Sequence, residues 1–423
     1  MNNFNIDDIT QKASMCLNCK KPMCREGCPI SNNIPQFISK IKEKDIKAAY
    51  EILQENNIMS EICSIVCPVE KQCMSKCVRG IKGTPVEINY LEQYINHYAK
   101  NNNIVYQFKP EKHINQKVAI IGSGPAGIAC AVELAKAGVK EITIFEKEEK
   151  CGGILEYGIP DFRLSKEIVE NVINRIKELG ITIKNNVELG KDITIEELKK
   201  QGYSEIFIGI GAAISSTYKL SDKKANNIYR ADDFLKRYSI GQPVENLGNC
   251  IVIGGGNVAL DSARVAARTG AKSVKILYRR NEELMPANQS ELIDTIEDGV
   301  KIQYLTRVIS ANIEDEKVVS VNCIKTQIEN EKAVDIENSN FIVESDTVIF
   351  AIGSKIDSQL IENAGLKIEN GLVSVDEYYK TNLANVYAGG DAVESKSSVC
   401  RAIATGKKAA KTILDNIRKE SEK

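Results

Sequence analysis

One feature above all constrains the fold of this chain: a short apolar strand that runs into a glycine-rich turn and then a helix. The strand covers residues 118–121, the turn is Gly122-Ser123-Gly124-Pro125-Ala126-Gly127, and the helix covers residues 128–137. A second strand over residues 142–145 ends in Glu146. This order of elements predicts a parallel sheet with a crossover helix.

The glycine spacing of this turn is typical of a dinucleotide site. Gly122 suits the tight turn, Gly124 lets the backbone approach a pyrophosphate, and Gly127 permits close packing of helix on strand. The pyrophosphate would lie at the positive end of the helix. Glu146, at the end of the next strand, is placed to bind a ribose hydroxyl. The alternative is a glycine-rich turn in an unrelated sheet.

The same unit recurs about 130 residues later. A strand over residues 250–253 precedes Gly254-Gly255-Gly256-Asn257, and a helix over residues 258–268 leads to a strand over residues 274–278. Ala259 takes the third glycine-type position, where alanine is allowed. Two copies predict two nucleotide-binding folds.

The end of the second copy indicates which nucleotide binds there. Its last strand runs into Tyr278-Arg279-Arg280 rather than into an acid. Guanidinium groups can bind a 2′-phosphate in a bidentate way, whereas a carboxylate would repel it. We therefore expect NADPH here, with NADH as the weaker candidate. The alternative is a solvated pair of surface arginines.

Eight of the thirteen cysteines lie between Cys16 and Cys77. The run Cys16-x2-Cys19-x4-Cys24-x3-Cys28-Pro29 is similar to a bacterial ferredoxin run with one spacing lengthened, and Cys63-x3-Cys67 and Cys73-x3-Cys77 form a second set. Thiolates in this pattern favour [4Fe–4S] clusters. Structural zinc, which also uses Cys-x2-Cys, is the competing interpretation. Later cysteines such as Cys130, Cys151 and Cys250 are expected to be inert packing residues.

Composition excludes several other classes of protein. The chain has 423 residues, a net charge of −1 and no apolar run long enough to span a bilayer. Nothing therefore predicts binding to nucleic acid or to a membrane. The polar first residues do not resemble a secretory signal, so we expect a cytoplasmic protein.

Taken together, these motifs resemble the family of the small (beta) subunit of bacterial glutamate synthase. That family also contains the large subunit of the NADH-dependent ferredoxin:NADP oxidoreductase and the N-terminal half of dihydropyrimidine dehydrogenase. The resemblance runs from Cys16 to about Ala410, and its other specific segments are residues 152–160, Met285-Pro286 and Gly389-Gly390-Asp391.

The resemblance implies two [4Fe–4S] clusters with interleaved ligands. Cys16, Cys19, Cys24 and Cys77 would bind one cluster, and Cys28, Cys67, Cys73 and Glu92 the other. Cys63 would then bind no iron. Gln93 lies next to Glu92, so a shift of one residue would change the fourth ligand of the second cluster.

The resemblance also implies FAD at the first glycine turn, with the helix from about Ser398 directed at the flavin and Gly158, Ile159 and Arg163 on its other side. An ordinary proline turn is the alternative for that last segment. The expected residues for both nucleotides are Gly122, Ser123, Gly124, Pro125, Ala126, Gly127, Glu146, Lys147, Gly153, Ile154, Leu155, Gly158, Ile159, Arg163, Gly211, Gly390, Asp391, Gly254, Gly255, Gly256, Asn257, Val258, Asp261, Arg279, Arg280 and Gly353.

We thus expect an α-helical [4Fe–4S] domain at residues 1–112, followed by an α/β flavoprotein with two dinucleotide-binding domains. The FAD domain would cover residues 113–245 and 353–423, with an NAD(P)H domain at 246–352 inserted in it. The hydride would pass between cofactors, so no catalytic side chain is expected.

The function that follows is an electron-input subunit, passing electrons between NADPH and a partner catalytic or electron-accepting subunit. The alternatives are a stand-alone NADPH oxidoreductase that reduces a small acceptor, a subunit of a pyrimidine-reducing or electron-bifurcating complex, and a scaffold whose nucleotides are structural.

Overall fold

The structure of the chain is a computed structural model that describes residues 4–108, 113–395 and 398–421. The chain divides into two compact units. The first comprises Met1–Leu155, Arg163–Gly211 and Ser358–Lys423, and the second comprises Glu156–Phe162 and Ala212–Asp357. The expected boundary at residue 112 lies outside the described residues.

The N-terminal part of the first unit is helical, as predicted. Its helices are α1 (Ile6–Ser14), α2 (Met23–Glu26), α3 (Ile34–Lys42), α4 (Ile46–Asn56), α5 (Ser60–Val66) and α6 (Ile88–Asn101). Short 3-10 turns cover Val69–Lys71, Met74–Lys76 and Val78–Ile81. Asp45 caps α4, since its carboxylate accepts a hydrogen bond of 3.0 Å from the Ala48 amide. Phe37 and Leu53 are fully buried in the helical core.

A five-stranded parallel sheet forms the rest of the first unit, in the order β17-β4-β1-β2-β3. Its strands are β1 (Ile114–Ile121), β2 (Val139–Phe145), β3 (Thr182–Lys184), β4 (Glu205–Ile208) and β17 (Val386–Ala388). The helices are α7 (Pro125–Lys136), α9 (Lys166–Glu178), α10 (Ile195–Lys200), α14 (Ser358–Asn363) and α15 (Val399–Ser421), and β15 (Ile368–Glu369) pairs with β16 (Leu372–Val373). Because β17 returns to this sheet after the second unit, the C-terminal segment completes the first nucleotide fold.

The second unit contains the other parallel sheet, in the order β6-β13-β7-β8-β9. Its strands are β6 (Ile228–Arg230), β7 (Asn249–Ile253), β8 (Ser273–Leu277), β9 (Lys301–Gln303) and β13 (Thr347–Phe350), and its helices are α11 (Ala231–Ser239), α12 (Asn257–Arg268) and α13 (Gln289–Glu297). The second unit also contains the small antiparallel pair β5 (Ile214–Ser215) and β14 (Ser354–Lys355). The short helix α8 (Ile154–Tyr157) begins in the first unit and ends in the second.

An antiparallel sheet of three long strands in the second unit was not predicted. It consists of β10 (Thr306–Glu314), β11 (Lys317–Glu329) and β12 (Lys332–Glu344). Val308, Val321 and Cys323 on its inner face pack against strands of the parallel sheet. In the part of the chain that the structure describes, no helix has both the length and the apolar character needed to cross a bilayer.

Candidate cofactor sites

The glycine turn of the first unit has the shape that a pyrophosphate needs. Gly122 has φ +96°, and a β-carbon there would lie 2.6 Å from the carbonyl oxygen of Gly209. A β-carbon on Gly127 would lie 2.0 Å from the carbonyl oxygen of Gly122. Gly124, in contrast, faces open space within 4 Å and caps the N-terminus of α7, where Pro125 and Ala126 follow. The turn is therefore packed on its inner side and open at the helix N-terminus, as a bound pyrophosphate requires.

Glu146 directly follows β2, and its carboxylate is hydrogen-bonded to the glycine turn. Its Oε2 accepts hydrogen bonds from the amide and the hydroxyl of Ser123, at 2.9 and 2.5 Å, and its Oε1 accepts one of 3.0 Å from the Glu148 amide. The Ser123 hydroxyl in turn accepts a bond of 3.0 Å from the Gly152 amide. The carboxylate thus fixes the turn, and its remaining acceptor positions can serve a ribose hydroxyl. The adjacent Lys147 is exposed.

Two distant segments of the first unit meet at the same turn. Gly153, with φ +55°, approaches Gly124 so closely that a β-carbon would lie 3.1 Å from the Gly124 α-carbon. Gly390, with φ +73°, would place a β-carbon 3.0 Å from that of Ala126. Burial of the Asp391 side chain raises the pKa of its carboxyl to about 6. The structure therefore brings Gly153, Gly390 and Asp391 to the expected FAD turn.

The second unit repeats the turn with its own neighbours. A β-carbon on Gly254 would lie 2.1 Å from the carbonyl oxygen of Ala351, and one on Gly255 would lie 2.4 Å from the Tyr278 ring. Gly256 faces open space and caps the N-terminus of α12. The Asn257 side chain accepts a hydrogen bond of 2.8 Å from the Asn288 amide. This turn, too, is closed inside and open at the helix N-terminus.

Arg279 and Arg280 follow β8, where the sequence predicted them. Arg279 is exposed and Arg280 is half-buried. Their backbones are fixed, because the Arg279 carbonyl accepts a bond of 2.7 Å from Thr326 and the Arg280 carbonyl one of 3.0 Å from Leu305. Among the residues that the structure describes, no carboxylate forms an ion pair with either guanidinium. Two cationic side chains therefore follow Tyr278, whose ring lies against Gly255 of the turn.

The remaining predicted nucleotide residues divide between the units. Leu155 is fully buried and Ile154 is exposed in the first unit, where Arg163 and Gly211, with φ +70°, also lie. Gly158 and Ile159 belong to the second unit, where Phe162 stacks on Arg264 and Arg268 with its ring centre 4.8 and 4.2 Å from their guanidinium carbons. Val258, the buried Asp261 and Gly353, with φ +118°, belong to the second unit as well.

Four cysteines expected to share a cluster line a single cavity. Cys16, Cys19, Cys24 and Cys77 all face it, together with apolar side chains that include Ile34, Ile38 and Val86. Burial and then the neighbouring thiols of Cys77 and Cys16 raise the pKa of Cys24 to about 11. The structure therefore brings all four predicted ligands of the first cluster to one cavity.

The other expected ligands form a second, more deeply buried group. Burial and the charge of Cys28 raise the pKa of the Glu92 carboxyl to about 8, and its Oε1 accepts a hydrogen bond of 2.8 Å from Asn32. Burial, Glu92 and Cys28 together raise the pKa of Cys73 well above its ordinary value. Gln93 instead donates a hydrogen bond of 2.8 Å to the Ser64 carbonyl. The structure thus brings Glu92, not Gln93, to Cys28 and Cys73.

Cys400 joins this second group, which the sequence did not predict. It lies in the first turn of α15, and its sulfur atom is within 4.8 Å of those of Cys63 and Cys67. Cys63 also accepts a hydrogen bond of 3.2 Å from the Asn57 amide group. No signal in the sequence places Cys400 here, because more than 300 residues separate it from these neighbours.

The helical part and the FAD part of the first unit are joined by direct hydrogen bonds. Lys407 donates to the Asn56 carbonyl at 2.6 Å, and Arg175 donates to the Gln54 side chain at 2.6 Å. The Gln72 amide donates to the Ser398 hydroxyl at 3.2 Å. The second cysteine group is therefore held directly against the N-terminal end of α15.

Two known sequence families match the chain. Residues 116–409 match the pyridine nucleotide-disulphide oxidoreductases, and residues 1–104 match domain II of dihydropyrimidine dehydrogenase, a 4Fe–4S cluster domain. The cysteines of residues 116–409 stand singly, without a Cys-x-x-Cys pair. This chain therefore has the nucleotide folds of the first family without a local dithiol.

Individual relatives resemble nearly the whole chain. The small chain of the NADPH-dependent glutamate synthase of Azospirillum brasilense is 32% identical over 97% of this chain and 89% of its own length. The dihydropyrimidine dehydrogenase subunit PreT of Escherichia coli K12 is 32% identical over 95% of this chain and 93% of its own. The putative oxidoreductase AegA of Escherichia coli K12 is longer, and this chain spans 66% of it at 31% identity.

Solved structures agree with the fold. FprA of Mycobacterium tuberculosis, solved with NADPH, superposes with a TM-score of 0.62 at 16% identity, over 73% of this chain and 86% of its own. This likeness supports the two dinucleotide-binding folds and no more. The chain belongs to the pyridine nucleotide-disulphide oxidoreductase family and, with its N-terminal 4Fe–4S domain, to the group of oxidoreductases that includes the small chain of glutamate synthase.

Proposed function

We propose that this protein is an electron-input subunit that takes electrons from NADPH and delivers them to a partner subunit. FAD would lie at the Gly122–Gly127 turn, NADPH at the Gly254–Asn257 turn, and two [4Fe–4S] clusters at the two cysteine groups. When bound, FAD exchanges a hydride with the nicotinamide and single electrons with the clusters. Thiolate ligands of this kind are kept reduced in the cytoplasm, where we expect the protein to act.

One arrangement carries this proposal: the second cysteine group borders the FAD part, and the first lines a cavity whose wall has exposed side chains. The second group contacts α15 of the FAD part through Cys400. The two groups share the short segments Cys24–Cys28 and Cys73–Cys77, so their ligands alternate along the chain. The first group lines a cavity whose wall includes Leu17, Met23 and Val78, all of them exposed. Electrons could therefore leave at this side of the helical part.

The surface around the first group suits a protein partner. Leu17, in the wall of the cavity, is 63% exposed, and Ile81, in the 3-10 turn that begins at Val78, is 77% exposed. The segments that hold the cysteines are cationic: residues 71–82 carry Lys71, Lys76, Arg79 and Lys82 and no acid. Exposed apolar side chains with a basic rim fit an acidic partner.

The Cys16→Ser variant tests this proposal. NADPH would still reduce the flavin, because both glycine turns are intact, while electron delivery to an acidic ferredoxin would fall more than tenfold. The matched control is Cys323→Val, since Cys323 is a buried thiol in the second unit. Unchanged ferredoxin reduction by Cys16→Ser would mean that electrons leave directly from FAD. Rapid NADPH turnover with a quinone in the same variant would favour the stand-alone reductase.

The names of the relatives support a partner without identifying it. A glutamate synthase small chain and a dihydropyrimidine dehydrogenase subunit are both parts of larger enzymes. The partner of this chain could therefore be an amidotransferase-type synthase or a pyrimidine-reducing subunit. Anaerobic copurification from the source cells would separate these two candidates.

A further inference from the structure

Cys400 lies beside three thiols of the second group, although the sequence predicted no role for it there. Its side chain lies directly beside those of Cys28, Cys63 and Cys67. The sulfur atoms of Cys63, Cys67 and Cys400 all lie within 4.8 Å of one another. Cys400 is only 2% exposed. This thiol is therefore built into the site rather than placed at its edge.

The close spacing means that these three thiols do not all bind the same cluster. Each thiolate of a [4Fe–4S] centre binds its own iron, and four ligands complete the set. Cys28, Cys67, Cys73 and Glu92 already supply four. Cys63 and Cys400 are then additional thiols that lie against the ligand Cys67.

We propose that Cys400 is a positioning residue that donates an S–H hydrogen bond to the cluster-bound thiolate of Cys67 and so raises the reduction potential of the second cluster. This inference rests on the proposed function, which supplies the cluster. Hydrogen bonds to the sulfurs of a cluster stabilise the more negative, reduced state. A thiol is a weak donor, but the acceptor is charged and the site is dry, and both conditions strengthen the bond.

The position of Cys400 places this hydrogen bond between the FAD fold and the second cluster. Its helix, α15, is part of the FAD fold: a β-carbon on Gly406 would lie 2.2 Å from the carbonyl oxygen of Ala126, in the first turn of α7. Thr405, also in α15, accepts a hydrogen bond of 2.7 Å from the Gly390 amide. Cys400 therefore connects the FAD fold to a cluster ligand and would adjust the potential where electrons enter the clusters.

Two substitutions of Cys400 separate the possible roles of the thiol. Cys400→Val keeps a similar volume and removes the donor, while Cys400→Ser keeps a donor. Cys323→Val is the control, since it removes a buried thiol in the second unit. In anaerobically purified full-length protein, iron, sulfide and FAD would be counted, and each cluster would be titrated with its electron paramagnetic resonance signal as the readout.

We expect Cys400→Val to keep its iron, sulfide and FAD, and to shift the reduction equilibrium of one cluster toward the oxidised form about tenfold, which is about 59 mV for a one-electron couple. Cys400→Ser should shift it less, and Cys323→Val not at all. Loss of about four irons in Cys400→Val would overturn the inference by making Cys400 a ligand. An unshifted potential would overturn it by leaving Cys400 a packing residue. Wild-type protein with zinc and no sulfide would contradict the proposed function itself.

Discussion

The carbonyl oxygen of Gly122 lies 2.0 Å from the position that a β-carbon on Gly127 would take. No side chain fits there, because the oxygen belongs to the backbone of the turn. Gly127→Ala should therefore displace the turn and lose FAD, with a loss of about 1–3 kcal/mol in stability. Flavin absorbance of the purified variant and its thermal unfolding would measure both effects.

Gly124→Ala is the matched comparison, because a β-carbon there meets nothing within 4 Å. The apoprotein should unfold at the wild-type temperature, yet bind FAD more weakly, since the added methyl group keeps the pyrophosphate from the backbone. Wild-type FAD affinity in Gly124→Ala would show that the pyrophosphate binds elsewhere.

The choice of nucleotide should depend on the pair Arg279 and Arg280. Replacing both with glutamine should weaken NADPH at least tenfold more than NADH, because each charge-assisted bond to a phosphate contributes about 1.5–3 kcal/mol. The rates of flavin reduction at varied NADPH and NADH concentrations would give the ratio. Arg307→Gln is the control, since Arg307 already pairs with Asp335. An unchanged ratio in the double variant would rule out the 2′-phosphate role.

The interleaved ligand assignment makes opposite predictions for two neighbouring cysteines. Cys67→Ser should lose one cluster, about four irons per chain, whereas Cys63→Ser should keep its iron content. Cys63 lies in α5 and Cys67 caps the C-terminus of that helix. A substitution that only disturbed the fold at this helix end would therefore change the iron content of both variants in the same way. The reverse pattern of iron loss would make Cys63 the ligand.

Glu205 should make the stability of the first unit depend on pH. Burial raises its pKa to about 7, and its Oε1 accepts a hydrogen bond of 2.8 Å from Asn416. Because the folded pKa lies above the unfolded value of about 4.3, the folded state binds this proton more tightly. Its contribution to stability is complete at low pH, falls as pH rises from about 4 to 7, and is lost above that.

Glu205→Gln keeps the hydrogen bond and removes the titration. The variant should be more stable than wild type at pH 8 by about 2–3 kcal/mol, and the difference should shrink toward pH 5. Urea unfolding of both proteins at the two pH values would measure this. Glu196→Gln, at an exposed position, is the control. Equal pH dependence in wild type and Glu205→Gln would contradict the assignment.

Local patterns explain what could be predicted from the sequence. Both nucleotide folds were predicted, because Gly122–Gly127 and Gly254–Asn257 each encode a turn, a helix start and a strand within about 30 residues. The helical character of the N-terminal part was predicted and is confirmed. The roles of single residues in binding stay predictions, although the structure brings most of the cysteines and Glu92 together as expected.

Contacts between distant residues explain what was missed. Cys400 reaches the second cysteine group only because α15 packs on α7, and no local pattern marks that approach. The segment around Gly158 lies in the second unit because Phe162 stacks on Arg264 and Arg268, about 100 residues further along. Strand β12 has no fully buried position, so no strong apolar alternation marks it in the sequence.

The central claim is that residues 1–104 hold two [4Fe–4S] clusters that connect the FAD fold to the surface. The most direct test is the content of iron, acid-labile sulfide, zinc and FAD in anaerobically purified protein. The account predicts about eight irons and eight sulfides per chain, with one FAD. Stoichiometric zinc without sulfide would contradict it.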